Sequence, residues 1–386
     1  MIRVAHMLYS YLPVTQNWIH TQLRCNRFCE HTVISLTREN IAHFPWESHY
    51  TAFARGSAVG RLRLLLARYW LLQPRRFLES IVEKMHPDII HGHFAHESWR
   101  ILATARRAGI PLVTTFYGLD VEKLPRRRFW KRRYPHLFSY GSGFIVEGPF
   151  MGEKLAAAGC PQERIHIVSI GVDHTLFEPS RSEPPSGGSN DSICILFTGL
   201  SREKKGPIDA ATVFCEAAKS DPRLTLHCIG DGRYGTVVRR ILERQGLLGR
   251  ATFHGSIPFE KYRALLAASD IVLAPSCHAA DGDCEGGAPV VCIEAQMAGK
   301  PVIATRHCDI PHVVKNGETG LLSNEHDIAA MTRDLLRLAG DAGLRGRMGE
   351  AGRNHALRQH DCHRQGEKIA AVYRSVLGAT RDNRHG

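Results

Sequence analysis

Short runs of β-branched and aliphatic residues recur along this chain, each followed by a longer stretch in which apolar positions return every three or four residues. In the first half the runs are RVAHML, HTVISL, PDIIHGHF, PLVTTFYG, GFIVEG and RIHIVSIG; in the second they are ICILFTG, LTLHCIG, ATFHG, DIVLAPS and KPVIAT. Such alternation predicts parallel strands joined by crossover helices. Between the two series lies FEPSRSEPPSGGSNDS, where Pro, Gly, Ser and charge cluster as in an interdomain linker. The pattern then restarts, so two α/β domains are expected: residues 1–176, a linker at 177–191 and a second domain over 192–365. Residues 366–386 are expected to form a C-terminal helix and tail that packs back on the first domain. Two doubly wound, Rossmann-like domains facing one cleft would place ligands at the carboxyl ends of the strands.

The opening MIRVAHMLYS is too short in its apolar run for a signal peptide, and no stretch approaches the length of a membrane span, so a cytoplasmic protein is expected. Eleven cysteines without regular spacing suit buried apolar residues in a reducing compartment, and no disulfide is expected. Charge changes the picture more. Residues 1–180 carry 23 Lys or Arg against 14 Asp or Glu, whereas the remainder carries 27 against 24. Its sharpest clusters are LPRRRFWKRRY (Leu124–Tyr134) and RLRLLLARYWLLQPRR (Arg61–Arg76), in which basic and large apolar residues interleave. A solvated helix face is the plain reading; an anionic membrane surface is the functional one. No zinc-finger spacing, aromatic ribonucleoprotein signature or recognition-helix pair accompanies them, so nucleic acid is not an expected partner.

The segment CEGGAPVVCIEAQMAGKPVIAT, Cys284–Thr305, concentrates candidate chemistry. Pro289 suits the first turn of a helix of about ten residues that Gly299 would stop. Gly286 and Gly287, with Ala288, precede that start, so backbone N–H groups there could take phosphate or sugar oxygens. Glu294 falls among Val290, Val291, Ile293 and Met297, where a carboxylate is costly unless something binds it; a vicinal diol such as a ribose would. FTGLSREKKGPID offers Gly199, Arg202, Lys204 and Lys205 at a strand end, the lysines within reach of a diphosphate. HCIGDGRYG supplies another glycine turn at Gly230.

Taken together these pieces resemble one family, the retaining nucleotide-sugar glycosyltransferases of family 4, with the two-domain GT-B fold. The likeness is strongest from Phe197 to Leu322, where the basic glycine turn, the Gly-Asp-Gly turn, the strand end at His254 and Gly255, ASDIVLAPS and GKPVIAT follow in order. DGDCEGG followed by CDIPHVVKNGETGLL resembles the branch containing colanic-acid-type and other exopolysaccharide transferases. The resemblance implies a nucleotide diphosphate sugar donor and a glycan or lipid-linked saccharide acceptor. Lys205 would contact the pyrophosphate and Glu294 the ribose. Three positions depart from the pattern. The family spaces two glutamates with seven residues between, but Glu285 and Glu294 have eight, so the first glutamate aligns with Gly286 unless the loop bulges. The usual arginine after the glycine is Leu200, with Arg202 two residues on as a substitute. The usual TFHG of the first domain reads TTFYG, which puts Tyr117 in the histidine's place with Asp120 close behind.

By the same resemblance the sugar is transferred with retention through an ion-pair-like state, without a metal or other cofactor, and Lys205 and the helix start would stabilise the charge of the leaving pyrophosphate. The family implies Glu285, Tyr117 and Asp120 as further catalytic candidates. His91, His93 and His96 in HGHFAHESW lack a fourth ligand in sequence; His93 is instead expected to face the cleft as an acceptor or sugar contact. RHCDIPH, Arg306–His312, is expected to be a cleft loop. Two other classes stay open: a nucleotide-sugar epimerase and a catalytically silent binding protein of the same fold.

Overall fold

The computed structural model describes residues 1–13, 16–54, 56–178 and 192–385. They form two units, Met1–Gly171 with Cys362–Gly386, and Val172–Asp361. The linker expected at 177–191 lies, beyond Glu178, outside the described residues. Phe177 itself is buried in the second unit, its ring 6.1 Å from that of Phe259. The division thus falls at Gly171 and Asp361 rather than at 176 and 365, because Val172 pairs with Asp361 and the following residues pack on helices of the second unit.

The first unit holds seven parallel strands in the order β3-β2-β1-β4-β5-β6-β7: β1 Ile2–Tyr11, β2 Cys29–Arg38, β3 His49–Thr51, β4 Ile89–His93, β5 Leu112–Thr115, β6 Gly143–Val146 and β7 Ile165–Ile167. The second holds six, in the order β10-β9-β8-β11-β12-β13: β8 Ile193–Thr198, β9 Leu224–Ile229, β10 Ala251–Phe253, β11 Ile271–Ala274, β12 Val302–Thr305 and β13 Gly320–Ser323. β5, β6, β11 and β12 are buried along their whole length, which is why they read as continuous apolar runs: helices cover both faces of a parallel sheet. In each sheet the strand order reverses once, between β1 and β4 and between β8 and β11. There the loops diverge and leave room for a ligand.

The last helix, Cys362–His385, belongs to the first unit. Ile369, Ala370, Tyr373 and Val376 are buried against Val4, Ile89, Val113 and Ile145, one from each of β1, β4, β5 and β6. Contrary to the expectation of no bridge, Cys25 and Cys362 form a disulfide across a sequence separation of 337. Cys25 ends the helix Asn17–Cys25 and Cys362 opens the last helix, so folding alone brings them together and no spacing in the sequence announces it. Cysteine usage therefore no longer argues for a reducing compartment. Among the described residues no helix is long and apolar enough to cross a membrane.

Candidate functional site

The reversal point of the second sheet gathers most of the sequence candidates. β8 ends at Thr198, and Gly199 turns the chain with φ of 126°, a conformation side chains other than glycine rarely adopt. A Cβ at Gly199 would also sit 2.6 Å from Cβ and Cγ of Lys205, so the glycine lets the lysine fold back over the strand end. Gly230, at the end of β9, lies beside the same turn, where an added Cβ would meet the Leu200 nitrogen at 3.4 Å. Leu200, in the usual place of an arginine, is a buried core residue. Arg202 caps the short helical turn Glu203–Lys205 through its backbone, and its side chain is exposed.

From the next strand, β11, the loop Pro275–Ala288 carries Glu285 to Lys205. Nζ of Lys205 lies 2.9 Å from Oε1 and 3.1 Å from Oε2 of Glu285, and the Ser276 hydroxyl donates to Oε1 at 2.9 Å. Burial pushes the Glu285 carboxyl upward, but the charges of Lys205 and Lys204 and the hydrogen bonds from Lys205 and Ser276 together hold it below its ordinary value. Lys204 ties the same loop down, donating to the Cys284 carbonyl at 2.7 Å and to Asp283 Oδ1 at 3.4 Å. The backbone N–H of Glu285 donates to Nε2 of His307 at 3.1 Å, and Nδ1 of His307 pairs with Glu325 at 2.7 Å. Gly286 has φ of 74°, so the chain turns at this left-handed glycine before the helix.

That helix spans Val290–Met297, and Pro289, expected as its first residue, is instead its cap, with ψ of 134°. A proline there fixes φ without costing a helical N–H bond. Ala298 caps the other end, and Gly299 follows with φ of 69°. Glu294 is 8% exposed, and its Oε2 accepts from the Tyr262 hydroxyl at 2.5 Å. Burial lifts its carboxyl to about 7, against the lowering influence of the Tyr262 hydrogen bond and the Lys205 charge. A buried acid held near neutrality, beside a phenol, is poised to accept hydroxyl hydrogens when it ionises. Nothing in KYRALL marks Tyr262, and Glu325 is equally silent in sequence; His307 falls in the RHCDIPH loop that the sequence singled out, though not as a partner of Glu285, and Ser276 closes the ASDIVLAPS run.

Tyr117, His93 and Asp120 lie in the first unit, where β4 and β5 end. His93 is fully buried, which corrects the expectation that it faces a cleft. A continuous hydrogen-bonded row runs Asn26 carbonyl, His31, His6, His93, Tyr117, at 2.8, 2.9, 3.0 and 2.7 Å. Burial lowers the pKa of all three imidazoles, His93 to about 3, so each is neutral. A carbonyl only accepts, so Nε2 of His31 carries its hydrogen; the same logic puts the hydrogen on Nε2 of His6 and of His93. Nδ1 of His93 is left to accept from Tyr117. His91, on the same face of β4, is held by Tyr373 at 2.6 Å and Thr115 at 2.7 Å, and His96 lies beside Glu97 at 3.5 Å. Asp120 is buried, its carboxylate accepting from the N–H groups of Ala95 and Tyr117 at 2.8 Å each, so it pins the two loops rather than meeting a ligand. Tyr117 lines a small recess of about 20 Å³, with Trp18, Glu147 and Gln365 among its walls.

Residues 26–176 match the family model described as Glycosyltransferase Family 4, and residues 180–355 match Glycosyl transferases group 1. The chain belongs to the family 4 glycosyltransferases. Among curated members it is 29% identical over 260 residues to the putative colanic acid biosynthesis glycosyltransferase WcaL of Escherichia coli K12, covering 66% of this chain and 62% of that one. It is 30% identical over 228 residues to the amylovoran biosynthesis glycosyltransferase AmsK of Erwinia amylovora, covering 59% and 54%. The matches thus span less than two thirds of these relatives. Among solved structures, HepE of Anabaena in complex with UDP is similar with a TM-score of 0.77 at 18% identity, covering 97% of this chain and all of that one. Sucrose-phosphate synthase of Thermosynechococcus elongatus is similar with a TM-score of 0.77 at 18%, covering 98% and 100%. This is the GT-B fold of two Rossmann-like domains.

Proposed function

We propose that this family 4 glycosyltransferase moves a sugar from a nucleoside diphosphate sugar to a hydroxyl of a growing surface or exported polysaccharide, with retention at the anomeric carbon. The observation that carries the reading is the Lys205–Glu285 pair at the reversal point of the second sheet, with Glu294 on the adjoining helix. In this reading the ribose hydroxyls replace Tyr262 as donors to Glu294, and the pyrophosphate takes Lys205 and the N–H groups of the helix start after Gly287. The C1–oxygen bond to the β-phosphate breaks, the acceptor oxygen bonds C1 from the same face, and the acceptor's proton leaves on the departing phosphate. The charge gathering on that phosphate is met by Lys205, a preorganised electrostatic contribution that needs no metal. The relatives named for colanic acid and amylovoran synthesis support a polysaccharide acceptor, and the HepE complex with UDP supports a nucleotide-sugar donor.

The acceptor domain in this scheme is the first unit. The acceptor lies beside Tyr117, and a lipid carrier is presented at an anionic cytoplasmic leaflet. The helix Ala58–Arg68 and the residues after it leave Leu62, Leu65, Tyr69 and Leu71 between 51% and 76% exposed. Trp70 packs against Trp130 with ring centroids 5.3 Å apart, which puts this apolar face beside the exposed Arg127, Arg128, Lys131 and Arg132. Interleaved apolar and basic residues of this kind bind anionic interfaces.

A panel of UDP, GDP and ADP sugars tests the reading. A true donor at a hundred times its dissociation constant should stabilise the chain by about 2.7 kcal/mol and, with a polysaccharide-repeat acceptor, release free nucleotide. Stabilisation without turnover on any acceptor would favour a silent binding protein, and conversion of the donor sugar without acceptor would favour an epimerase.

A further inference from the structure

Behind the Glu285 loop lies a cluster that the transfer reaction does not use. The sulfurs of Cys284 and Cys308 and a ring nitrogen of His278 all lie within 4.8 Å of one another. Cys284 is 1% exposed in the loop after β11, Cys308 is partly buried in the turn after β12, and His278 opens to solvent. We infer that Cys284, Cys308 and His278 bind a soft divalent metal ion, zinc by donor chemistry, which fastens the Glu285 loop to the turn after β12.

Three observations carry this site. A tetrahedral zinc holds sulfur at about 2.3 Å and imidazole nitrogen at about 2.0 Å, so its ligand atoms stand roughly 3.5–3.8 Å apart, a small contraction from the spacing present. Glu325, just beyond β13, accepts from Nδ1 of His278 at 3.0 Å and of His307 at 2.7 Å. A carboxylate on one imidazole nitrogen fixes the tautomer and leaves the other nitrogen its lone pair, the usual outer support of a zinc-binding histidine. Cys308, which is not glycine, holds φ of 47°, a left-handed conformation that turns its thiol back toward Cys284 and His307, whose Nε2 is 3.2 Å from the Cys308 sulfur. That same Nε2 accepts the backbone N–H of Glu285, so an ion on Cys284 would steady Glu285 from both its neighbours. The sequence hid this site because RHCDIPH supplies only one thiol; the other thiol and His278 arrive from a separate loop. With three protein ligands, a water at the exposed His278 side would complete the tetrahedron; the ion would hold the loop and take no part in the chemistry at Lys205, and its uptake would expel the thiol protons.

The test uses the 386-residue chain, with zinc and cobalt as probes. The chain purified without chelator is expected to hold about one equivalent of zinc. Its cobalt form should show thiolate charge transfer and the intense visible absorption of a tetrahedral ion. Cys284→Ser and Cys308→Ser should each weaken the charge transfer, and Glu325→Gln should weaken zinc affinity by about 10–100-fold. Since the cysteines are part of a packed loop, His278→Ala, at an exposed side chain, serves as the variant that folds regardless; it too should weaken affinity. Absence of cobalt charge transfer in the parent chain, unchanged affinity in His278→Ala, spectra unaltered in both cysteine variants, or recovery of Cys284 and Cys308 as a disulfide would each overturn the proposal.

Discussion

The Tyr117 hydroxyl donates its hydrogen to Nδ1 of His93 across 2.7 Å, at the end of a row of neutral histidines that begins on the Asn26 carbonyl. Because every tautomer in the row is fixed by that carbonyl, Tyr117 has only lone pairs left to offer a ligand. In the proposed reaction it therefore accepts from a sugar hydroxyl and does not protonate one. Tyr117→Phe removes that acceptor and strips His93 of its donor, costing about 1–3 kcal/mol of stability as the price of an unsatisfied buried nitrogen. The expected kinetic result is a raised KM for the acceptor with donor affinity unchanged, read from initial rates and from donor titration; loss of donor affinity instead would remove Tyr117 from the acceptor side.

A pH dependence follows from Glu294. Its carboxyl is lifted to about 7 by burial, and only the ionised form accepts two diol hydrogens. Affinity for a nucleotide sugar, whose diphosphate has no titrating secondary group, should rise as pH climbs towards 7 and level off above it. Glu294→Gln should bind more weakly and show a flat profile. Stability runs the other way. Between the ordinary value of 4.5 and about 7 the folded chain holds a proton that the unfolded chain has released, so this residue's contribution falls as pH rises through that window and is constant above it. Denaturant melts of the parent chain and Glu294→Gln across that range check the sign; equal slopes would contradict it.

The basic face divides by what its arginines touch. Arg126 is paired with Glu122 at 2.9 Å, and the Arg133 guanidinium lies 3.4 Å from the centre of the Phe129 ring, so both have partners within the protein. Arg127, Arg128 and Arg132 are exposed. At about 1 kcal/mol per near-surface charge, changing these three to alanine should weaken binding to anionic vesicles by roughly a hundredfold and leave donor binding alone. Arg126→Ala should matter less. Vesicle binding unchanged in the triple variant at moderate salt, or absent in the parent chain, would remove the membrane from the scheme.

What was legible in the sequence followed from periodicity and punctuation. Eleven of the thirteen strands stood out as short apolar runs, several of them closed by glycine or proline; β3 and β13, HYT and GLLS, lack a run that reads as a strand. Gly199, Gly230, Lys205 and Glu285 could be picked out as candidates because turns and charges at strand ends are local signals, and the structure brings them to the same region of the second sheet. Tyr262, the pairing of His307 with Glu285 and Glu325, and the Cys25–Cys362 bridge were not, since each depends on residues brought together from distant segments. His93 was misplaced for a related reason: a histidine at a strand end reads as ligand-facing, and only His6, stacked on it and hydrogen-bonded on to His31, reveals that this strand end is buried.

The Glu285 position asks most of experiment, because the loop departs from the family spacing yet delivers the carboxylate to Lys205. In the free protein that ion pair neutralises both partners. Lys205→Ala leaves a buried carboxylate with Lys204 at 4.0 Å and Ser276 for support, and removes the positive charge that meets the leaving phosphate. Turnover should fall by about a hundredfold, some 3 kcal/mol, with a smaller loss of donor affinity, and the melting temperature should drop because a half-removed buried pair destabilises. Glu285→Gln keeps the Ser276 hydrogen bond but frees Lys205 from its counter-charge, so free nucleotide should bind at least as well as to the parent chain. If Glu285 turns from Lys205 to the donor sugar when pyrophosphate takes the lysine, the same variant loses discrimination among donor sugars and most turnover. Parent-like turnover and donor choice in Glu285→Gln would reduce Glu285 to a counter-ion for Lys205, and leave the CEGGAP loop acting through its glycines and the helix start.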